Sequence, residues 1–527
     1  MIAIATWFER PGVKRACVTT LFCIGAVWLV IRFCGLGTSP PGFWMDEAWS
    51  ATHALCLAET GHNGDKVTWP LYSNAIAGGQ SPITLLGFNT LWIRVFGTSR
   101  AAFRAASAFW ICVTCAGLFW IARSIVTLIP PWHSAPADRP MRKTFPWLVL
   151  FAALLSPWGF QYSRIAWEGP LAPAFMVLSV AAMFRIRCRL AHGVRWAVAS
   201  GILGACSMIS YPPLRATVPF VLTMVGLVLI ATVERPRLRW VLFWRLLIAA
   251  GVLGLAMLPT LIKMLNHQIN GRMEGVAIFG SEWLESHRGT TARIPFVLIT
   301  LLDNLLLHLR PSYLFFTGDP NGRHSPHVVG QLSFIDSLAV GIAAVTMVRV
   351  LWRLLRQMTG HSEEPVRTIS PTFSVMLAVA AGSVLGGAFG ALPAALTHDS
   401  LPHSLRSIGA WPFVPLFTGA ILTVAWAHRS WALPATAAVG LIFTAYYLPT
   451  YHHNYEILDG GLFHREITES LARDNDGETM LPVSDTLSHH LGHGDEVLRY
   501  YMITEGRMGC DQSSERLKEM REKAQNH

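Results

Sequence analysis

The chain has 527 residues, of which 52% are hydrophobic and only 14% charged, against roughly 25% charged in an ordinary soluble protein; a soluble multidomain organisation is excluded. A net charge of +10 would suit nucleic-acid binding in a soluble chain. Here the basic residues flank apolar runs, where they set membrane topology, and no nucleic-acid partner is expected.

A helix needs about 20 apolar residues to cross hydrocarbon, and backbone in lipid must bond within itself. The sequence predicts an all-α polytopic membrane protein with eleven such spans, at 17–36, 105–127, 145–161, 169–184, 196–211, 215–233, 241–262, 332–350, 371–396, 408–426 and 431–449. The first follows Arg10, Lys14 and Arg15 and is longer than a signal-peptide core, so it reads as an uncleaved span with a cytoplasmic N-terminus. On this arrangement the inner segments are 1–15, 122–144, 185–195, 234–245, 349–370 and 428–430. They hold 20 Lys/Arg and five Asp/Glu, while the short outer segments 162–168, 210–214 and 397–407 hold only Arg164 and Arg406 as basic residues. That asymmetry is the positive-inside pattern.

Residues 81–97 are the ambiguous stretch. Counting them as a span would reverse every later loop and export the Arg-rich ones, so they read as an amphipathic helix on the outer surface. Two long outer loops follow, 37–104 and 263–331. They belong with the spans to a catalytic unit at 1–450. The polar tail 451–527 reads as a small α/β extracytoplasmic appendage, with strand-like pieces at Thr479–Val483 and Val497–Ile503 and a final helical pattern, SSERLKEMREKA. Nine cysteines are scattered, mostly within apolar runs, where they act as small hydrophobes. Cys112 and Cys115 sit mid-span without a second pair, so no redox or zinc role is read from them. Cys56 and Cys510 fall outside the membrane, where a bridge between them is left open.

The first loop opens with PPGFWMDEAWSATHA. Asp46 and Glu47 lie about ten residues beyond the first span, among Trp and Phe. Adjacent carboxylates at a water–lipid boundary suit a general base facing an amphipathic substrate; they also suit the first turn of a helix, where acidic residues favour the macrodipole. Four arginines, Arg104, Arg164, Arg215 and Arg406, fall at outer span ends. Their forked guanidinium groups could hold a phosphate or merely snorkel to headgroups. The outer histidines include His324 and His327, and His489, His490 and His493. No set is complete at zinc spacing, so no metal and no other cofactor is expected.

An Asp-Glu pair just after the first span resembles the hallmark of the GT-C glycosyltransferases, in particular the branch of protein O-mannosyltransferases and lipid A aminoarabinose transferases. QSPITLLGFNTLWIRVFGTSRAAFRAASAFW, YSRIAWEGPLAP, YPPLRATVPF, FFTGDPNGRHSPHVVGQLSFID and LPHSLRSIGAWPF resemble further signatures of that family, in order, over about residues 15–450. The pattern departs at Gln80-Ser81-Pro82, where many relatives carry His-Pro-Pro. The resemblance implies an inverting transferase that moves one sugar from a polyprenyl-phosphate lipid to an acceptor hydroxyl at the outer, periplasmic face of an inner membrane. It implies Asp46 as the base and Glu47 as its orienting partner or an acceptor contact. It matches Arg104 to the arginine before the second span, with pairing to an acidic residue of the first loop as the alternative, and Glu168 to a second-loop carboxylate, either a sugar contact or a partner of Arg164. Arg164, Arg215, Arg406 and His324 are the remaining substrate contacts expected. A polysaccharide polymerase or ligase and a lipid-linked sugar flippase are the alternatives, the flippase disfavoured because ionisable residues gather at span ends.

Overall fold

The computed structural model describes residues 10–75, 79–128, 138–189, 192–269, 271–286, 293–358 and 371–457, with residues 499–500, 503–504, 509–510 and 512 of the tail. The strand expected at 479–483, the helix expected at 513–524 and the histidines at 489, 490 and 493 lie outside the described residues; of the strand expected at 497–503, the described residues 499–500 and 503 are helical instead.

The chain is helical, with one two-stranded antiparallel sheet among the described residues. Helix α1 (Pro11–Ile31) starts on a proline at its first turn, where the missing N–H costs nothing. It stops five residues before the expected end, at buried Arg32. Helix α2 (Met45–Thr60) carries Asp46 and Glu47 in its first turn. Strands β1 (Tyr72–Asn74) and β2 (Gln80–Pro82) pair, Ser73 opposite Ser81, and lead into α3 (Ile83–Phe96). Fourteen residues span about 21 Å, short of a ~30 Å hydrocarbon core. Thr90 donates to Ala54 O and Arg94 to Ala58 O, so α3 lies along α2. Its opposite face leaves Leu91, Val95 and Phe96 exposed. This is the amphipathic surface helix expected at 81–97.

Helices α4 (Arg100–Leu128), α5 (Asp138–Leu154), the short α6 (Pro157–Tyr162), α7 (Leu171–Cys188), α8 (Gly193–Ser210), α9 (Leu214–Ala231) and α10 (Pro236–Leu265) follow. Helices α11 (Gly271–Val276), α12 (Ser281–Ser286) and α13 (Arg293–His308) come next, then a π turn at Ser312–Phe316. The bundle ends with α14 (Phe334–Met358), α15 (Pro371–Ala395), α16 (Phe413–His428) and α17 (Ala432–Ile457). Helix α7 packs on α4 and α8, α10 on α8, α5 between α4 and α16, α15 on α16, and α17 against α1. Helix α10 exposes Trp240, Trp244, Leu247, Leu255 and Leu265. Such a face is stable only where lipid is the solvent.

Eleven of the described helices are long and apolar enough to cross a membrane. The number matches the expectation; the membership differs. The stretch 145–161 divides into the end of α5 and the separate α6, broken at Ser156-Pro157, where Ser156 Oγ caps Gly159 N. Conversely, the expected loop 263–331 contains the apolar stretch Ile294–Phe316. Asp303, Asn304, His308 and Arg310 interrupt its pattern, which hid it from a hydropathy reading. The chain leaves and re-enters this stretch on one side of the bundle. Before it, Ile278 N donates to Leu396 O and Trp283 stacks on His398 at 4.4 Å. At its end, Asn304 donates to Ala395 O and Thr397 O, and His308 Nε2 accepts from His403 N. Both flanks meet the 396–403 loop, so α13 does not reverse the later helices.

All these loops gather at one end of the bundle, with Asp46 and Glu47, hereafter the dyad end. The other end carries Arg123, Arg185, Arg187 and Arg235 around an open cavity. The tail returns to the dyad end. A Cys56–Cys510 disulfide joins it to α2, and Tyr500 and Ile503 are buried with Phe43, Leu55 and Phe103. Peptide mapping of the unreduced protein should recover a Cys56–Cys510 cross-linked pair. Replacing both cysteines by serine should lower unfolding stability by about 2–4 kcal/mol, the usual worth of a native disulfide, read from thermal melts of the two proteins.

Candidate active site at the dyad end

Adjacent residues on a helix project about 100° apart, so Asp46 and Glu47 enter different surroundings. Glu47 is fully buried. Its Oε1 accepts from Arg104 Nε at 2.9 Å and from Ala166 N at 2.8 Å; its Oε2 accepts from Arg104 Nη2 at 2.9 Å and from Trp44 N at 3.1 Å. Arg104, on α4, is equally buried and donates further to the carbonyls of Leu36, Pro40 and Gly42. The pair pins the turn entering α2, the start of α4 and the loop before α7 to one point. Both oxygens of Glu47 are thus taken up by the buried frame, with Arg104 as its partner.

Asp46 is only partly buried. Its Oδ2 accepts from Trp44 Nε1 at 3.0 Å. The other face of that story is Arg323, whose guanidinium lies over the Trp44 ring, 4.0 Å from its centre, a cation–π contact. Arg323 is fixed from its own loop: its Nε donates to Asn321 Oδ1 at 3.3 Å, and its carbonyl accepts from Gln161 Nε2 at 2.7 Å. The indole thus meets a carboxylate at its N–H edge and a guanidinium on its face, and both charged residues are partly exposed.

The expected phosphate arginines are placed otherwise. Arg164 is buried, and its Nε, Nη1 and Nη2 all donate to carbonyls, of Ser39, Ile31 and Gly35. It closes the C-terminal end of α1, where unpaired carbonyls invite a cation. Arg32 does the same for α5, donating to Leu154 O and Gly159 O. Arg406 forks onto Asp399 and donates to Thr397 Oγ1; burial raises the Asp399 carboxyl, but Arg406 outweighs this and holds it below its usual range. Arg215 donates to Met208 O and Tyr72 Oη. Glu168 sits in the turn before α7, partly exposed, its carbonyl accepting from Leu171 N.

His324 is buried beside Trp167, with ring centres 5.4 Å apart, and Trp167 follows Ala166, which touches Glu47. Its Nδ1 lies 3.1 Å from Asp319 Oδ2, and its ring lies 4.5 Å from that of His403. The expected companion His327 turns away, its Nδ1 on Thr317 O. Asp319 and Arg323 were not singled out from the sequence, although both lie in the FFTGDPNGRHSPH segment. Asp319, two residues before Asn321 and five before His324, carries the only acidic side chain of that segment. Arg323 escaped because it follows no apolar run.

No family model and no curated protein matches the chain. Among solved structures, it is similar to the apo oligosaccharyltransferase of Archaeoglobus fulgidus, with a TM-score of 0.40 and 12% identity over 88% of this chain and 58% of that one. It is also similar to ArnT from Cupriavidus metallidurans bound to undecaprenyl phosphate, with a TM-score of 0.42 and 13% identity over 86% of this chain and 79% of that one. The chain thus spans 58% of the length of the archaeal protein.

Removing one member of a buried ion pair strands the other, at a cost of about 3–5 kcal/mol, whereas removing both relieves most of it. Arg104→Met should therefore cut stability or yield severely, Glu47→Gln should be milder, and the double variant should recover part of the loss. Thermal melts of the three variants in one detergent check this; strictly additive losses would contradict the coupling.

Proposed function

We propose that this chain is an inverting glycosyltransferase that moves a single sugar from a polyprenyl-phosphate donor to an acceptor hydroxyl at the extracytoplasmic face of a membrane. One observation carries the reading: of two adjacent carboxylates, one is bound into the buried frame and the other, Asp46, is partly exposed at the N–H edge of an indole whose face carries a guanidinium. Sugar transfer from a lipid phosphate needs that division. The acceptor hydroxyl must lose a proton as its oxygen attacks the anomeric carbon, and the leaving phosphate must be met by positive charge. Asp46 is the base, and Arg323 takes the phosphate-facing role that the sequence had assigned to Arg164 or Arg406. The framing by Glu47, Arg104 and Arg164 sets where Asp46 stands; none of the three touches substrate.

The sidedness rests on two supports. Arginines surround the end opposite the dyad, as at a cytoplasmic face. A disulfide closes at the dyad end, as in an oxidising compartment. On that reading the N-terminus is cytoplasmic and the dyad faces outward.

Asp46→Asn keeps the shape and removes the proton acceptor. Turnover at saturating donor should fall by at least ~10²-fold, the lower end of general-base assistance, with an unchanged melting temperature. Near-normal turnover, or loss only in step with unfolding, would reduce Asp46 to a helix-end residue worth about 1 kcal/mol. Arg323→Lys should raise the donor concentration needed for half-maximal rate about tenfold or more, as expected for losing a charged hydrogen bond. Single turnover with a polyprenyl-phosphate monosaccharide, set against a polyprenyl-diphosphate oligosaccharide, separates this activity from that of a polymerase or ligase.

A further inference from the structure

We propose that Asp319, His324 and His403 form a binding site for one divalent transition-metal ion, zinc being the best fit, that clamps the loop after the π turn to the loop between α15 and α16. The three side chains are each buried, and their ligand atoms lie within 4.8 Å of one another. Asp319 Oδ2 is 3.1 Å from His324 Nδ1 and 4.0 Å from His403 Nδ1. Around a tetrahedral ion with bonds of about 2.0–2.1 Å, ligand atoms stand roughly 3.3 Å apart, so the two spacings bracket the requirement. One carboxylate oxygen and two imidazole nitrogens form a donor set suited to zinc, and three protein ligands leave a fourth position for water or a substrate oxygen.

The surroundings are those of an organised centre. Asp319 is oriented by Ser404 N at 2.6 Å and Ser404 Oγ at 2.9 Å on Oδ2, and by Asn321 N at 2.9 Å on Oδ1. His403 is held through its main chain, whose N–H donates to His308 Nε2 at 3.1 Å; His308 Nδ1 in turn meets Asn304 O at 2.8 Å. Fixing ligands through such outer partners is how proteins tune metal sites. Binding would replace the proton shared by His324 and Asp319 and the weak 3.4 Å contact of Arg406 N with His403 Nδ1. His324 and His403 come from segments nearly 80 residues apart in sequence, with His324 next to Arg323, so a bound ion would fix the loop that presents Arg323 to Trp44. The site stands or falls independently of which reaction the chain catalyses.

The test uses full-length protein in detergent, purified without a histidine tag, stripped with chelator and desalted after exposure to ZnCl2. Metal analysis should find about one zinc per chain that His327→Gln retains and that His403→Gln and Asp319→Asn each lose. Affinity should drop by more than the ~10–100-fold typical of losing an outer-shell partner. Metal-free melts of each variant show whether it is folded. Because His403→Gln could also disturb the loop, His403→Cys gives a positive control: loaded with cobalt(II), it should acquire a thiolate-to-cobalt charge-transfer band that the unsubstituted protein lacks. No retained zinc in the unsubstituted protein, equal zinc in folded His403→Gln, or no such band in folded His403→Cys would each overturn the proposal.

Discussion

The buried Arg104–Glu47 pair is the constraint on which the dyad end depends. A charge removed from water costs several kcal/mol even after relaxation, and repayment requires excellent geometry with every remaining donor satisfied. The chain meets that demand with carbonyls. Arg104 spends its spare N–H groups on Leu36, Pro40 and Gly42, Arg164 on Ile31, Gly35 and Ser39, and Arg32 on Leu154 and Gly159. The irregular segment between α1 and α2 would otherwise present bare carbonyls close to lipid. Arg104 and Arg164 satisfy its carbonyls, and Arg32, within it, ties it to the junction of α5 and α6.

This frame gives two adjacent carboxylates opposite fates. A one-residue step rotates the side chain by about 100°, enough to carry Asp46 out of the buried layer while Glu47 stays in it. The Trp44 backbone N–H goes to Glu47 and its indole N–H to Asp46, so one residue sets the separation between frame and site. Arg323, over the face of that indole, then inherits that placement. A site on a loop is only as accurate as the elements holding it, and here the loop is braced through Gln161, Asn321 and the Tyr455 hydroxyl, which donates to Gly322 O.

Much of this was legible in the sequence, for definable reasons. Long apolar runs and the arginine bias gave the helices and their alternation, because both follow from hydrocarbon thickness and charge alone. The 81–97 helix was recoverable from the topological cost of counting it as a span. The division at Ser156-Pro157 was not, since hydropathy runs through it unchanged and only a serine cap and a proline mark the break. Nor was α13, whose Asn304 and His308 break the apolar pattern because they face the 395–403 loop. Arginines at span ends looked interchangeable. Which one meets carbonyls and which one meets an indole depends on contacts between segments more than 60 residues apart, and no local pattern encodes them. The Asp319–His324–His403 grouping was hidden for the same reason: His327 is nearer in sequence, but its ring faces Thr317 O.

The distribution of buried charge is itself informative. Arg32, Arg104, Arg164, Glu47 and Asp319 are all buried at the dyad end, and Asp336, in the first turn of α14, joins them through Ser333 and Thr418. The arginines at the opposite end line an open cavity instead. Surface arginines there need no partner and impose no geometry, so they serve topology cheaply. Buried ionic groups bring little net stability, and their retention is better explained by the single arrangement they enforce. At the dyad end the buried guanidinium groups and carboxylates bind one another and the carbonyls of three chain segments, so that end is held in one arrangement even where a lipid-embedded chain would most readily do without buried charge.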